Sequence, residues 1–550
     1  MTALHKLSRR RTGAVAALTA PAALLFVFLL TFAVTGVARA QGQPRATGEE
    51  WLVSQAAQGQ HGGRLVVALR SEPRTLNPVL AADSSSREVI RRMMADLIHI
   101  NRASQQTEPA LAKSWSVSKD GLRYTLKLRS GLRFSDGQPL TADDVVFTFQ
   151  VYLDEKVHSP QRDLLLVGGK PIAVRKVDAQ TVVFEMSQPY APAERLFDSI
   201  AILPRHLLKA GFDEGKFAQT WGLNTPANQI AGLGPFRLKE YAAGQRIVVE
   251  RNPYYWKVDR RGQRLPYLDE IVFLMVPNED AQVIRFQAAE TDVISRISAK
   301  NYSVLSRGAQ NTYRLLDLGP SLEYHFLFFN LNDLSAKNLP EIARKQAWFR
   351  DVRFRQAVSA AIDREGIVGL VFEGRATPLG AHVTPGNKLW VSSAVSWPAQ
   401  SVERARKLLQ EAGFWWRADG RLVDAKGQAV EFSIVTSSSN AARTQMGTII
   451  QDDLKKLGIT VNVLPIESRS VLDRIFNTHE YEASLGALAS GDVDPTSEMS
   501  VWRLAGATHL WNLGQKEQAA WEGEIDRLMG QQLTTLDAKR RKRLYDRVQE

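Results

Sequence analysis

Alternating apolar and polar residues predict several strands in the first half of the chain. Leu122, Tyr124, Leu126 and Leu128 alternate with charged and polar residues, which indicates a strand with one face toward water. The continuous apolar run at residues 65–69 indicates a buried strand. The first half is therefore expected to be strand-rich, with further strands at residues 181–186, 247–251 and 271–276.

A capping box predicts the start of a helix in this half. Thr141 and Asp144 stand three positions apart, so each side chain can bond to the backbone N–H of the other. Val145, Phe149 and Leu153 follow at the spacing of one helical face. We therefore expect a helix that begins just after Thr141.

The second half changes to an α/β pattern. Asp351 precedes a set of apolar positions with helical spacing, and another helix is expected over about residues 401–412. Residues 430–435 and 459–464 are typical of strands, and the helix between them ends near Gly458. Such a strand–helix–strand unit forms a parallel pair with a right-handed crossover, so this half should contain a parallel sheet.

The composition is that of a folded protein with ample core. Of the 550 residues, 44% are hydrophobic and 23% are charged, and cysteine is absent. The length allows about three to five domains, or two large composite ones. Without cysteine there is no disulfide framework, cysteine zinc site, iron–sulfur cluster, thiol nucleophile or bacterial lipid anchor.

The N-terminus resembles an export signal. A basic segment at residues 6–11 precedes an apolar stretch at residues 14–34, and Ala38 and Ala40 supply the small residues that a signal peptidase recognises. Cleavage after Ala40 predicts a mature chain that begins at Gln41. An uncleaved anchor is the alternative, because the apolar stretch approaches the length of a membrane span. We expect a periplasmic protein without a lipid anchor.

The net charge does not point to nucleic acid. It is +12 at pH 7, and part of it comes from the basic residues of the export signal. The remaining basic residues are spread along the chain, apart from the run at residues 539–543. We expect this run on the solvated face of a helix, since no basic face is interleaved with aromatic residues.

Enzyme and metal signatures are missing from the sequence. There is no Gly-x-Ser-x-Gly elbow or Walker A loop, and residues 232–235 lack the third glycine of a dinucleotide fingerprint. The nine histidines are scattered, and His479 has no second histidine four positions later. We therefore predict no catalytic residue, no metal site and no cofactor.

Short motifs recur in a fixed order from about residue 63 to the end. The most distinctive are residues 72–78, 111–125 and 128–145. Further matching segments are residues 232–236, 251–256, 265–271, 329–330, 352–358 and 361–365. Together they resemble the family 5 solute-binding proteins of bacterial ABC importers, whose best-known members bind dipeptides and oligopeptides.

The resemblance implies an α/β, two-lobed fold of the periplasmic binding protein type (type II, the large class with an extra subdomain). The ligand is then expected in the interlobe cleft. After a signal peptide at residues 1–40 and a flexible leader at residues 41–60, domain I with the extra subdomain is expected at residues 61–318. Domain II is expected at residues 319–550, and the family's final strands, which return to domain I, are expected to be missing.

The resemblance also directs attention to one loop. In parallel sheets, ligands bind beyond the carboxyl ends of the strands, and the loop at residues 491–495 follows such a strand. Relatives place there an aspartate that pairs with the ammonium group of a peptide, and Asp492 is our choice for that role. Asp494 remains possible, because the spacing to Pro495 is one residue shorter than in dipeptide binders. The alternative is an aspartate that only caps the following helix.

A second loop comprises Ser437, Ser438, Ser439 and Asn440. Dipeptide binders carry there an arginine that clamps the ligand carboxylate, and this chain has serines instead. Backbone N–H groups at the start of the next helix could still hold an anion, with Arg443 one turn on. The missing clamp favours longer peptides, bound through their backbone, or a different ligand.

Three further residues are candidates. Glu72 matches a position that contacts the ligand in oligopeptide binders, or it stabilises its own turn. Trp390 and Trp502 either line a side-chain pocket or belong to the core.

The predicted function is a periplasmic receptor that binds peptides, with a preference for peptides longer than dipeptides, by hinge closure. Its expected partner is an ABC permease and ATPase complex at the inner membrane, and we expect a monomer that does not bind nucleic acid. The alternatives are a receptor for an opine, an oligosaccharide or another small solute, and a sensor or chaperone that is not coupled to a permease. A hydrolase is the least favoured alternative.

Overall fold

A computed structural model describes residues 48–308, 312–334, 339–514 and 519–550. The predicted signal peptide at residues 1–40 and the first part of the predicted leader lie outside the described residues. Within these ranges, none of the helices combines the length and the apolar character that crossing a membrane requires.

The elements up to residue 308 alternate between strands and short helices. The strands are β1 (Leu52–Val53), β2 (Arg64–Leu69), β3 (Ile98–Ile100), β4 (Thr107–Pro109), β5 (Ala112–Val117), β6 (Arg123–Leu128), β7 (Leu166–Val167), β8 (Lys170–Pro171), β9 (Ala173–Asp178), β10 (Thr181–Glu185), β11 (Phe236–Ala242), β12 (Arg246–Arg251), β13 (Lys257–Val258) and β14 (Glu270–Met275). The helices are α1 (Ser84–Met93), α2 (Ala142–Leu153), α3 (Ala193–Ser199), α4 (Arg205–Asp213), α5 (Glu279–Gln287) and α6 (Ala299–Gly308).

Two four-stranded sheets organise this half. The first is antiparallel, in the order β5-β6-β10-β9, and the second has the order β11-β12-β14-β2 with β14 and β2 parallel. On β6, the side chains of Tyr124, Leu126 and Leu128 are buried. The predicted alternation is therefore confirmed, because the opposite face of this strand carries the polar residues.

Helix α2 begins as the capping box predicts. Asp144 Oδ2 accepts a hydrogen bond of 2.9 Å from Thr141 N, and Thr141 Oγ1 accepts one of 3.3 Å from Asp143 N. The two interactions satisfy backbone N–H groups that the first turn of a helix leaves unpaired.

The segment from residue 48 is attached to the body of the protein, which differs from the predicted flexible leader. Strand β1 pairs in parallel with β13. Glu50 accepts hydrogen bonds from Lys113 Nζ at 2.8 Å and from Ser130 N at 2.9 Å. The composition of residues 41–60 predicts a flexible segment. Lys113, Ser130 and β13, which hold the described part of it, lie at least 60 residues away, so local composition does not reveal these contacts.

The elements after residue 312 form an α/β unit. The strands are β15 (Glu323–Phe329), β16 (Trp415–Trp416), β17 (Leu422–Val423), β18 (Glu431–Ser437), β19 (Thr460–Ile466) and β20 (Ala483–Ala489). The helices are α7 (Pro340–Arg350), α8 (Val352–Ala361), α9 (Arg364–Phe372), α10 (Val402–Glu411), α11 (Ala441–Lys455), α12 (Ser468–Asp473), α13 (Met499–Trp502), α14 (Ala520–Thr534) and α15 (Ala538–Gln549).

The sheet of this half has the strand order β15-β20-β18-β19. Strands β18, β19 and β20 are parallel, and β15 runs antiparallel to β20. Helix α11 joins β18 to β19, so the predicted strand–helix–strand unit is confirmed. The carboxyl ends of β18 and β20 consequently lie at the same edge of the sheet.

The apolar side chains form separate cores. The largest extends from Leu69 to Phe273, and a second extends from Phe328 to Trp511. A small third core joins Val383 to residues of α14 and α15. We call the part around the first core the N-terminal lobe and the part around the other two the C-terminal lobe. The predicted domain boundary at residues 318 and 319 falls between α6 and β15.

Glycine is required where two segments of the N-terminal lobe meet. Gly234 N donates a hydrogen bond of 2.8 Å to Met93 O at the end of α1. A Cβ on Gly234 would lie 2.5 Å from the carbonyl carbon of Met93 and 2.7 Å from Arg92 O. The backbones approach so closely that a side chain cannot be accommodated without movement.

We expect Gly234→Ala to lower the free energy of unfolding by about 1–3 kcal/mol, the usual cost of overpacking. Gly222→Ala is the control, because a Cβ on Gly222 would meet no atom within 4 Å. Urea unfolding of both variants measures the effect. Equal stability of the two variants would contradict the close approach.

Candidate functional site

Two loops lie where the parallel strands of the C-terminal lobe end. One follows β20 and carries Asp492 and Asp494, and the other follows β18 and begins at Ser438. Ser437, assigned to the loop from sequence, is the last residue of β18 and is buried. The fold therefore brings both predicted loops to the same edge of one sheet.

Asp494 is buried and bound within its own lobe. Its carboxylate forms a bidentate ion pair with Arg541 of α15, with N–O distances of 2.6 and 2.7 Å. It also accepts a 3.0 Å hydrogen bond from Thr496 N and caps the short 3-10 turn Pro495–Glu498. Burial alone would raise the pKa of Asp494, but the Arg541 guanidinium outweighs it and holds the pKa below the ordinary range.

Asp492 is only partly buried and faces the other lobe. Its Oδ1 lies 2.5 Å from Arg195 Nη1, and its Oδ2 lies 3.6 Å from Arg102 Nη1. Arg195 belongs to α3 and Arg102 to the turn between β3 and β4, so both cations come from the N-terminal lobe. Asp492 thus meets two cations of the opposite lobe, whereas Asp494 has its bidentate partner within its own lobe and a single 3.3 Å contact with Arg195 Nε.

The second loop is held together by hydroxyl groups. Ser437 Oγ lies 2.8 Å from Ser439 Oγ, and Ser439 Oγ lies 3.1 Å from Ser468 Oγ. Asn440 caps α11 by accepting a 2.9 Å hydrogen bond from Arg443 N. Ser438 is exposed, and its backbone N–H donates to Ile466 O at 2.8 Å. The loop presents small polar groups beside a helix N-terminus.

Arg443 is half-buried near the start of α11. Within the described residues, its Nε is buried without a hydrogen-bond partner, as is Nδ1 of His325 on β15. Burial lowers the pKa of Arg443, and the charge of Glu323 partly offsets this effect. Burial also lowers the pKa of His325, which leaves its ring neutral near pH 7. The guanidinium therefore supplies positive charge at this edge of the sheet.

Glu72 lies outside this group of residues. It is exposed, and its carboxylate accepts hydrogen bonds from Tyr241 Oη at 2.7 Å and from Gly244 N at 2.8 Å. These two bonds, that to Gly244 foremost, lower the pKa of Glu72. The described contacts tie the end of β2 to the β11–β12 hairpin of the N-terminal lobe.

Trp390 and Trp502 pack around the small third core. The Trp502 ring lies 4.3 Å from the His382 ring, and its Nε1 is buried without a partner among the described residues. Arg541 lies 5.1 Å from the centre of the Trp390 ring. Both indoles are partly buried, and Trp390 covers the cation that holds Asp494.

A small cavity lies behind the aspartate loop. Tyr324 Oη donates to Glu498 at 3.2 Å, and burial raises the pKa of Glu498. Burial lowers the pKa of His382 to about 3, so this ring is neutral where it meets Tyr545 Oη at 2.9 Å. The lining residues are Leu322, His382, Val383, Thr384, Asn387, Ser490, Val493, Asp494, Glu498 and Tyr545.

Three arginines of this site were missed from the sequence. Arg541 belongs to the basic run at residues 539–543, which was predicted to be solvated as a whole. It is only 6% exposed, while Arg540 beside it is exposed. The sequence pattern that indicates the burial of Arg541 is its helical spacing with Tyr545 and Val548, which places all three residues on the buried face of α15. Arg102 and Arg195 carry no local signal.

No group of three or more His, Asp and Glu side chains is arranged to hold a metal ion within the described part of the chain.

The comparisons with known proteins agree with this organisation. Residues 106–509, well over half of the chain, match the family described as bacterial extracellular solute-binding proteins, family 5 (middle). A probable ABC transporter-binding protein of Deinococcus radiodurans is 27% identical over 546 residues, which are 95% of this chain and 90% of that protein. Heme-binding protein A of Haemophilus influenzae is 25% identical and covers 94% of this chain and 90% of that protein.

A solved structure shows the same fold. The oligopeptide-binding protein AppA of Bacillus subtilis is 27% identical over 429 residues, which are 76% of this chain and 72% of AppA. Its structure in complex with a nonapeptide superposes with a TM-score of 0.67, covering 90% of this chain and 91% of that chain at 25% identity. The predicted two-lobed α/β fold is confirmed.

Removing the Arg541 side chain should destabilise the protein strongly. Arg541→Ala leaves the buried Asp494 carboxylate without its bidentate partner, a loss that typically costs about 3–5 kcal/mol. Arg540→Ala, one residue away on the exposed face, is the matched control. Chemical unfolding measures both, and similar stability of the two variants would show that the buried pair does not hold the loop.

Proposed function

The chain belongs to the family 5 bacterial extracellular solute-binding proteins, and on this premise we propose that it is the substrate-binding receptor of an ABC importer. Its fold is that of the type II periplasmic binding proteins. The relatives are solute-binding proteins rather than enzymes, and the proposed role involves no covalent chemistry.

The proposed ligands are peptides, with a preference for peptides longer than dipeptides. AppA, solved with a nonapeptide, supports a peptide ligand. The loop after β18 has serines where dipeptide binders carry a clamping arginine, which supports longer chains. A longer peptide can bind through its backbone to the polar groups of this loop, much as a strand adds to a sheet.

The observation that carries this proposal is the position of Asp492. Its carboxylate projects from the loop after β20 and meets cations across the contact between the lobes. The ammonium group of a peptide can take the same place when the lobes open, because a partly desolvated carboxylate binds a cation strongly. Asp494 does not compete for this role, since Arg541 already neutralises it within the lobe.

The other end of the ligand is assigned to the edge near Arg443. The Arg443 guanidinium and the hydroxyl groups of the loop after β18 offer donors for a carboxylate or for peptide carbonyls. Opposite charges at two loops of one edge suit a ligand that carries an ammonium group at one end and acceptors along its length.

Binding is proposed to close the two lobes around the peptide by hinge motion. The hinge is assigned to residues 312–322, which precede β15. The closed, monomeric receptor would then deliver the peptide from the periplasm to a permease and ATPase complex at the inner membrane. Export by the segment at residues 1–40 is part of the same proposal.

A non-peptide solute is the second candidate. The likeness to heme-binding protein A, over most of both chains, shows that the scaffold is not restricted to relatives named for peptides. Opines and oligosaccharides belong to the same class of alternatives.

Calorimetric titration with a tripeptide and with its N-acetylated form tests the role of Asp492. We expect Asp492→Asn to weaken binding of the free tripeptide by about 10- to 100-fold, because a charge-assisted hydrogen bond contributes about 1.5–3 kcal/mol. The N-acetyl tripeptide has no ammonium group, so the substitution should not weaken its binding in this way.

Asp419→Asn is the control for this titration, since Asp419 is exposed on a turn of the same lobe. Equal losses for the free and the acetylated tripeptide would remove the ammonium role from Asp492. Binding of neither tripeptide to the unmodified protein, together with binding of a non-peptide solute, would favour the second candidate.

A further inference from the structure

Charged side chains of both lobes meet where the lobes are in contact. The Arg195 guanidinium lies 2.5 Å from Asp492 Oδ1 through Nη1 and 3.3 Å from Asp494 Oδ2 through Nε. Its Nη2 donates to Gln105 Oε1 at 3.3 Å. One arginine of the N-terminal lobe therefore engages both aspartates of the C-terminal loop.

The two aspartates depend on Arg195 to different degrees. Asp494 keeps its bidentate partner Arg541 whether or not the lobes are in contact. Asp492 has no cation of its own lobe within 4 Å in the described part of the chain, and its cationic partners are Arg195 and Arg102. Arg102 is the weaker one, because it lies at 3.6 Å and also binds Asp198. Arg195 is thus the main counter-charge of Asp492.

Backbone contacts bring the same surfaces together. Ala191 N, just before α3, donates a 2.7 Å hydrogen bond to Leu533 O near the end of α14. Leu533 packs against the core of the N-terminal lobe, and Tyr190 is buried beside the Asp494–Arg541 pair. Arg195 therefore adds a charge contact to a region where the two lobes already pack against each other.

We propose that Arg195 is a specificity-determining latch, which occupies on Asp492 the place of a ligand's ammonium group and holds the lobes together until a ligand displaces it. This inference rests on the proposed function for the identity of the competing group. The latch itself needs no ligand, because both of its charges belong to the chain. A cationic group of a ligand must then displace the Arg195 guanidinium from Asp492. Only a ligand that places its cation correctly against Asp492 can do so, and this makes binding more selective.

Small-angle X-ray scattering of the protein without added peptide tests the latch. We expect Arg195→Ala to increase the radius of gyration, because the lobes lose their main charge contact and separate. Arg237→Ala is the matched control, since Arg237 pairs with Glu250 at 2.8 Å within the N-terminal lobe alone. The control should leave the radius of gyration unchanged.

The latch also predicts that the same variants differ in their affinity for peptides. Closure by the latch lowers the fraction of receptor that is competent to bind, so Arg195→Ala should bind the free tripeptide about three- to tenfold more tightly. The N-acetyl tripeptide should gain less, because it does not use the released Asp492 charge. Arg195→Gln serves as the second variant if circular dichroism shows that the alanine variant is misfolded.

An unchanged radius of gyration in a folded Arg195 variant would overturn the latch. The outcomes separate this inference from the proposed function. If the radius rises and no peptide binds to any variant, the latch stands and the peptide-receptor function fails. If peptides bind and the radius does not change, the function stands and the latch is wrong.

Discussion

The buried ion pair of Asp494 and Arg541 fixes the loop on which the rest of the site depends. Both side chains are less than 10% exposed, so each charge needs the other. The pair ties the loop after β20 to the C-terminal helix α15, and Trp390 covers the guanidinium. Because the loop is anchored in this way, Asp492 is held two residues earlier at the surface that meets the N-terminal lobe.

Two neighbouring aspartates thereby acquire different roles. Asp494 is neutralised inside its lobe, and its partner stays with it whatever the lobes do. Asp492 finds its main counter-charge, Arg195, on the other lobe. Closing the lobes therefore supplies the main counter-charge of Asp492, whereas it adds only a 3.3 Å contact with Arg195 to Asp494, which Arg541 already pairs. The same carboxylate is the proposed partner for a peptide ammonium, so closure and ligand recognition share one charge.

The sequence predicts the elements whose formation depends on residues close together along the chain. The alternation of β6, the capping box of α2 and the β18–α11–β19 unit are local patterns, and the structure confirms them. The resemblance to a family directed attention to the aspartate loop but left Asp492 and Asp494 open. Arg195 lies 297 residues before Asp492, and no local pattern carries that contact. The charge of residues 539–543 predicts solvated side chains, and the burial of Arg541 contradicts this, because charge alone does not show which face of a helix is buried.

Thermal unfolding of the protein against a panel of ligands tests the central claim most directly. The panel contains dipeptides, tripeptides, pentapeptides, free amino acids, opines and oligosaccharides. A ligand at 100 times its dissociation constant adds about 2.7 kcal/mol to the stability of the folded state, which gives a readable shift. The account predicts a shift with tripeptides or pentapeptides that exceeds the shift with dipeptides. A shift with a non-peptide solute alone would contradict the peptide receptor and the ammonium role of Asp492.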